Sequence, residues 1–226
     1  MGLHFTSFQD RPDLRPQINR LTDEVWPTFM HQDPIGNRYW SRLFDDNAHL
    51  QVVLLEDETV IGVGNTVALS WHQDLEALPE TGWDWALETA MTQADQNVAP
   101  NALCGLQVAI AATHQGRRLS GEFIQQFRSL ALAHKIPRIL IPVRPTLKHR
   151  YPLTPAETYT AWTTPEGLPF DPWLRVHVKM GGHIVKVCSQ SMTIPGTVAH
   201  WESWTNMRFP ESGKYVVPFA LAPIQI

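Results

Sequence analysis

The alternation of apolar and polar positions divides the chain into strand-like and helix-like segments. Leu103 to Ala112 is a nearly unbroken apolar run, short enough for a buried strand and without helical spacing. The polar stretch Thr113 to Arg118 contains Gly116 and turns the chain. From Leu119 the apolar residues recur at Phe123, Ile124, Phe127, Leu130 and Ala131, one face of a helix. Upstream, Leu3 to Phe8 reads as a strand. Pro12 to Met30 reads as a helix, with Leu14, Ile18, Leu21, Val25 and Trp26 at helical spacing. Pro34 and Gly36 break the chain before a short helix over Arg38 to Phe44. Gln51 to Leu55 and Thr59 to Leu69 form a hairpin across Glu56-Asp57-Glu58. Gly62-Val63-Gly64 inside the return strand predicts a bulge or close packing.

Asp84 to Asp95 reads as an acidic helix, preceded by Trp83; this tryptophan and Trp85 are either packing anchors or part of an acceptor pocket. Downstream, Arg138 to Val143 predicts another apolar strand. Residues 144–171 are rich in Pro, Thr and aromatics and predict a folded flap, with a short helix over Pro155 to Trp162 capped by Thr154. Asp171-Pro172 opens a helix that Gly181-Gly182 ends. His183 to Val187 predicts a strand, residues 198–204 a short helix, and Tyr215 to Ala222 a last strand in a hairpin with His183 to Val187. The element order predicts an α/β domain over 1–226: a mixed, mostly antiparallel sheet flanked by helices, closed by one parallel crossover through the helix at 119–135.

Composition narrows the function. Hydrophobic content of 43% with 18% charged residues is that of a soluble globular protein. A net charge of −4 leaves no basic footprint for nucleic acid. No run reaches membrane-spanning length and the start has no leader pattern, so a cytoplasmic protein without a membrane partner is expected. The two cysteines, Cys104 and Cys188, lie in apolar runs and form neither a disulfide framework nor a zinc spacing; no metal is expected. The turn before Leu119 carries chemistry of its own. A helix start presents unpaired N–H groups and the positive end of the helix dipole, which attract phosphate, and Arg117 and Arg118 add charge there.

The run Gln115-Gly116-Arg117-Arg118-Leu119-Ser120 resembles the Gln/Arg-x-x-Gly-x-Gly/Ala turn with which GNAT acyltransferases wrap the pyrophosphate of acyl-CoA. Arg118 stands where glycine is usual, and Ser120 where Gly or Ala is usual. A second stretch, His177-Val178-Lys179-Met180-Gly181-Gly182, resembles the family's Tyr-x-x-x-Gly-Phe helix end and sets His177 where many members carry a tyrosine acid. The resemblance implies the GNAT fold, with 144–171 as an insertion. It implies that Val108, Ala109 and Ile110 hold the pantetheine arm and that Gln115, Gly116, Arg117, Arg118, Leu119 and Ser120 hold the pyrophosphate. It also implies His177 as the catalytic acid or base, an imidazole whose ordinary pKa of about 6.5 suits either direction. The implied activity is transfer of an acyl group, acetyl first, from acetyl-CoA or another acyl-CoA to a small-molecule acceptor; a homodimer is compatible with it. The family's carboxylate base on the central strand has no counterpart beside Gln107. That absence, His177 and the long insertion are similar to the GNAT-like loading domains of polyketide synthases, which implies acyl-thioester decarboxylation and S-transfer as an alternative, with Thr146 as a hydroxyl partner. A non-catalytic acyl-CoA-binding domain is a third.

Overall fold

A computed structural model describes residues 2–226. Five strands lie side by side in chain order: β1 (Leu3–Ser7), β2 (Val52–Glu56), β3 (Thr59–Leu69), β4 (Ala102–Ile110) and β5 (Arg138–Leu140). The first three neighbour pairs are antiparallel, and β4 pairs with β5 in parallel. The helix α5 (Leu119–Ala133) makes the parallel crossover, as the order of elements predicts. No helix among the described residues is long and apolar enough to cross a membrane.

Both faces of the sheet are covered, which is why β4 reads as a continuous apolar run. On one face, Val63, Val67, Cys104 and Ala109 pack against α1 (Arg15–Val25) and α4 (Gly82–Asp95) through Ile18, Leu21, Leu87 and Met91. On the other, Leu54, Ile61 and Leu103 meet Phe123, Ile124 and Phe127 of α5. The glycines of β3 exist for this second face. A Cβ on Gly64 would stand 2.7 Å from Phe123 and 2.8 Å from Phe127, and one on Gly62 would stand 2.9 Å from Phe123. Two bulges bend the central strands. Ile61 is the extra residue where Leu54 faces Gly62 and Leu55 faces Val60. Leu106 is the extra residue where Asn65 faces Gln107 and Thr66 faces Gly105.

Several predicted boundaries move. The helix over 12–30 stops at Val25 because Pro27 pushes Trp26 into extended geometry (φ −101°, ψ 139°), and Thr28–Gln32 follows as a separate 3₁₀ turn. Pro34 does not break the chain; it starts α2 (Pro34–Tyr39), with the Asp33 side chain accepting from Gly36 N–H as its cap. Arg42–Asp45 forms a separate α3. The strand predicted over 138–143 pairs only to Leu140. The helix in the segment 144–171, α6, covers Ala156–Thr160, and Thr154 does not cap it. That segment is held by the Tyr151, Tyr159, Trp162 and Phe170 rings, which meet edge-on or tilted at 5.0 to 6.1 Å.

The predicted C-terminal hairpin is absent. His183 to Val187 forms no strand, because the chain here serves the start of α4 instead. Lys186 pairs with Glu80 at 2.5 Å, Gln190 N–H donates to the Glu80 carbonyl, and Trp83 and Asp84 N–H donate to Ser191. The helix α7 (Pro172–Lys179) precedes this run, with Asp171 accepting from Trp173 and Leu174 N–H as its cap. Beyond it, α8 (Val198–Thr205) packs Trp201 on Phe29, and Lys214–Tyr215 (β6) pairs with Ile224–Gln225 (β7) rather than with the main sheet.

Gly64→Ala should destabilise the fold by roughly 1–3 kcal/mol, since two buried rings must move to admit one methyl group. Urea unfolding checks it: the midpoint should fall without a change in slope.

Candidate active site

The site follows from one local event, the parting of β4 from β5. The two strands pair only from Ala102 to Cys104. Beyond the Leu106 bulge β4 runs on alone to Ile110. Ala111 N–H donates to the Ile61 carbonyl at 2.9 Å, and alternate residues of an antiparallel strand bond the same neighbour. Ala109 and Gln107 therefore face β3, while Val108 and Ile110 turn their N–H and C=O groups to the side where β5 has ended. A cavity of about 890 Å³ fills that opening.

At one end the cavity reaches the start of α5. Gly116 (φ 79°) and Arg118 (φ 63°) both take the left-handed conformation, and no side chain caps the helix. Among the described residues, the N–H groups of Gly116 to Ser120 meet no acceptor. Gln115, Gly116, Arg118, Leu119 and Ser120 line the cavity, as do Val108 and Ile110. Ala109 faces the opposite core, and Arg117 turns away to Glu56 at 3.2 Å. His114 also meets Glu56, at 2.9 Å, and these two partners hold the Glu56 carboxyl below its ordinary range. Arg118 thus adopts the backbone of the glycine usual at its position and leaves the loop open.

The wall opposite is polar in few places. Gln107 cannot act as a base: its oxygen accepts from the Trp26 indole at 2.8 Å and its nitrogen donates to Asn65 at 3.0 Å. Trp26, Trp40 and Trp83 line this end, the last two stacked at 6.0 Å, and Trp83 also donates to the Leu106 carbonyl at 2.9 Å. Among them sits Asp33, 2% exposed, with one oxygen on Gly36 N–H and the other buried without a partner. Asp84, 8% exposed, stands against it, with one oxygen on Thr193 N–H at 3.1 Å and the other unpartnered. Burial first, and then the Asp33 charge, push the Asp84 carboxyl up to about 7; burial also raises Asp33. No periodicity or motif points to this pair of buried acids, although Asp33-Pro34 carries the sequence signature of a helix cap. His31 lines the same end with a buried, unpartnered Nε2.

His177 lies one residue past the cavity-lining Val176 and does not itself line the cavity. Its Nδ1 donates to the Trp173 carbonyl at 2.8 Å, so the neutral ring carries its proton there. Nε2 is buried without a partner, and burial lowers the imidazole pKa. Thr146 lines the cavity, and its hydroxyl donates to Asp171 at 3.3 Å.

No family model matches the chain. The chain is 32% identical over 246 aligned positions to the arginine N-acetyltransferase avaD of Aspergillus versicolor, an alignment covering 95% of this chain and 84% of that protein. Two solved structures share the fold. The loading GNATL domain of CurA from Lyngbya majuscula superposes with a TM-score of 0.59 at 16% identity, over 84% of this chain and 93% of that one. The GphF GNAT-like decarboxylase, solved with isobutyryl-CoA, gives 0.51 at 14% identity, over 85% and 95%.

The acid pair should leave a mark on stability. The folded Asp84 carboxyl holds its proton more tightly than the unfolded one, so stability falls as pH rises from the ordinary aspartate range through about 7. Asp84→Asn keeps the acceptor for Thr193 N–H and removes the charge. Its melting temperature should exceed that of the unaltered protein by about 3–6 °C at pH 8, and the gap should shrink towards zero at pH 4.

Proposed function

The chain belongs to the GNAT superfamily of acyltransferases, and from that premise we propose that its acceptor is a small cationic molecule bearing a guanidinium group, arginine first. The observation that carries this reading is the buried acid pair. Asp33 lines the cavity among Trp26, Trp40 and Trp83, and its second oxygen is buried beside Asp84 with no N–H donor from the protein. A guanidinium in the cavity would bring a counter-cation to that carboxylate and a flat cation to the indole faces. The arginine N-acetyltransferase that this chain resembles supports the same choice.

Acyl-CoA supplies the activated acyl carbon; the acceptor nitrogen gains the acyl group and loses a proton, and CoA leaves as the thiol. On this reading the free amides from Gly116 to Ser120, with Arg118, hold the pyrophosphate, and the open edge of β4 at Val108 and Ile110 aligns the pantetheine arm. Arg117 contributes to the local potential while paired with Glu56. His177 lies behind the cavity wall with its unprotonated Nε2 buried, so its role as acid or base is that of a relay rather than of a group touching the acceptor.

Purified protein with acetyl-CoA should release free thiol with arginine and not with neutral amines, and mass spectrometry should find acetylated arginine. Thiol release from malonyl-CoA without any acceptor, accompanied by loss of CO2, would replace this reading by decarboxylation. Asp33→Asn retains the cap on α2 and should lower kcat/KM for arginine about 30- to 100-fold with the KM for acetyl-CoA unchanged. His177→Ala should lower kcat about 10- to 100-fold while calorimetric CoA affinity stays the same; unaltered kcat removes the residue from the mechanism.

A further inference from the structure

A second charged group on the cavity wall has no use in the reading above. Arg144 follows β5 on the side where the strands part, and its side chain lines the cavity. Its guanidinium donates to the Phe219 carbonyl at 2.5 Å. Among the described residues no carboxylate pairs with it; the arginines that do have acidic partners are Arg11, Arg42, Arg117 and Arg208. A guanidinium has five N–H donors, and one carbonyl leaves most of them unused. Arg144 lines the cavity, and none of its nitrogens is sealed in protein without a partner. Burial lowers its pKa to about 10, which still leaves it charged at neutral pH. Keeping a half-buried cation without a counter-ion is costly unless an anion arrives.

The position identifies the anion. The phosphates of the co-substrate have their own cation, Arg118, at the start of α5. Arg144 stands instead on the wall formed by 141–147, which shares the cavity with Asp33. The wall therefore offers one anion and, apart from the phosphate loop, one arginine. That is the complement of a zwitterion whose cationic side chain and carboxylate bind apart. Resting on the acceptor reading above, we propose that Arg144 binds the carboxylate of the acceptor, so that the enzyme selects an amino acid over the corresponding decarboxylated amine. The planar fork suits a carboxylate in two-point contact, which a lysine cannot reproduce.

Arginine and agmatine, which differ only in the carboxylate, are the test pair, with thiol release as the readout. The unaltered protein should favour arginine about 10- to 100-fold in kcat/KM, the range of a hydrogen-bonded charge contact. In Arg144→Met the ratio should fall towards one through loss of arginine turnover, and in Arg144→Lys it should be intermediate, with the KM for acetyl-CoA unchanged in both. Equal use of the two amines by the unaltered protein overturns the proposal without any variant, so a misfolded substitution cannot shield it. A preserved ratio in a folded Arg144→Met, or a rise confined to the KM for acetyl-CoA, overturns it as well. Failure to acetylate either amine instead removes the guanidinium reading, and this proposal falls with it.

Discussion

The structure depends on a strand that is forced to leave its neighbour. Leu106 has no partner across β3, and the extra residue bends β4 away from β5. A bulge in a buried central strand is unfavourable unless its polar groups are met, and here they are met by side chains. Gln51, Asn65 and Thr66 are essentially fully buried and bonded to one another and to the strand backbone. Asn65 accepts from Gln107, and Gln107 accepts from Trp26. From the other side, the Trp83 indole takes the Leu106 carbonyl. The residues that fix the bulge thus reach into the wall of the opening that the bulge creates. Rigid strand and shaped cavity are one piece of polar bookkeeping.

The second constraint ties the phosphate loop to that opening. Gly62, Gly64 and Gly105 leave no side chain under Phe123 and Phe127, so α5 lies close on β3 and β4. Close packing sets the start of α5 at the end of β4, with only residues 111–118 between them. Arg118 then has to take the left-handed conformation for the helix to begin there. An L-residue in that conformation carries a cost of order 1 kcal/mol, which the surrounding packing must offset. Arginine at this point adds an exposed cation beside the free amides. The departure from glycine changes the charge of the loop and not its path.

These features were legible to different degrees. Period and length alone predict β4, the turn and α5 nearly residue by residue, because a strand buried on both faces and a helix with one apolar face have distinct patterns. The loop residues 115–120 are legible by their likeness to a known turn, and five of the six line the cavity. The acid pair is not legible. Asp33 precedes a proline that reads as a break in the chain, yet it caps α2; Asp84 looks like one charge in an acidic helix. Only the packing of α2 against α4 makes them neighbours, and tertiary contact leaves no periodicity in the sequence. The failed strand at His183 to Val187 has a related cause. Its apolar residues suggest pairing, but Glu80 and the open N-terminus of α4 offer stronger partners than a sheet edge, leaving Ile184 and Val185 exposed.

The segment 144–171 shows how a loop rich in proline can be part of a wall rather than an ornament. Asp171, 1% exposed, accepts from Trp173 and Leu174 N–H, from Leu147 N–H, and from the hydroxyls of Thr146 and Tyr159. One carboxylate therefore caps α7, anchors the chain leaving β5 and pins the aromatic cluster of the segment. Lys148, 2% exposed, repeats the device by donating to the Leu221 and Tyr151 carbonyls. Arg144 and Lys148 together fasten the C-terminal stretch through the carbonyls of Phe219 and Leu221. Phe219 lines the cavity, so this fastening also sets part of its wall. The same contact that fixes this part of the wall also holds Arg144 in place, so a segment that reads as a loop is tied to both the sheet and the C-terminal stretch.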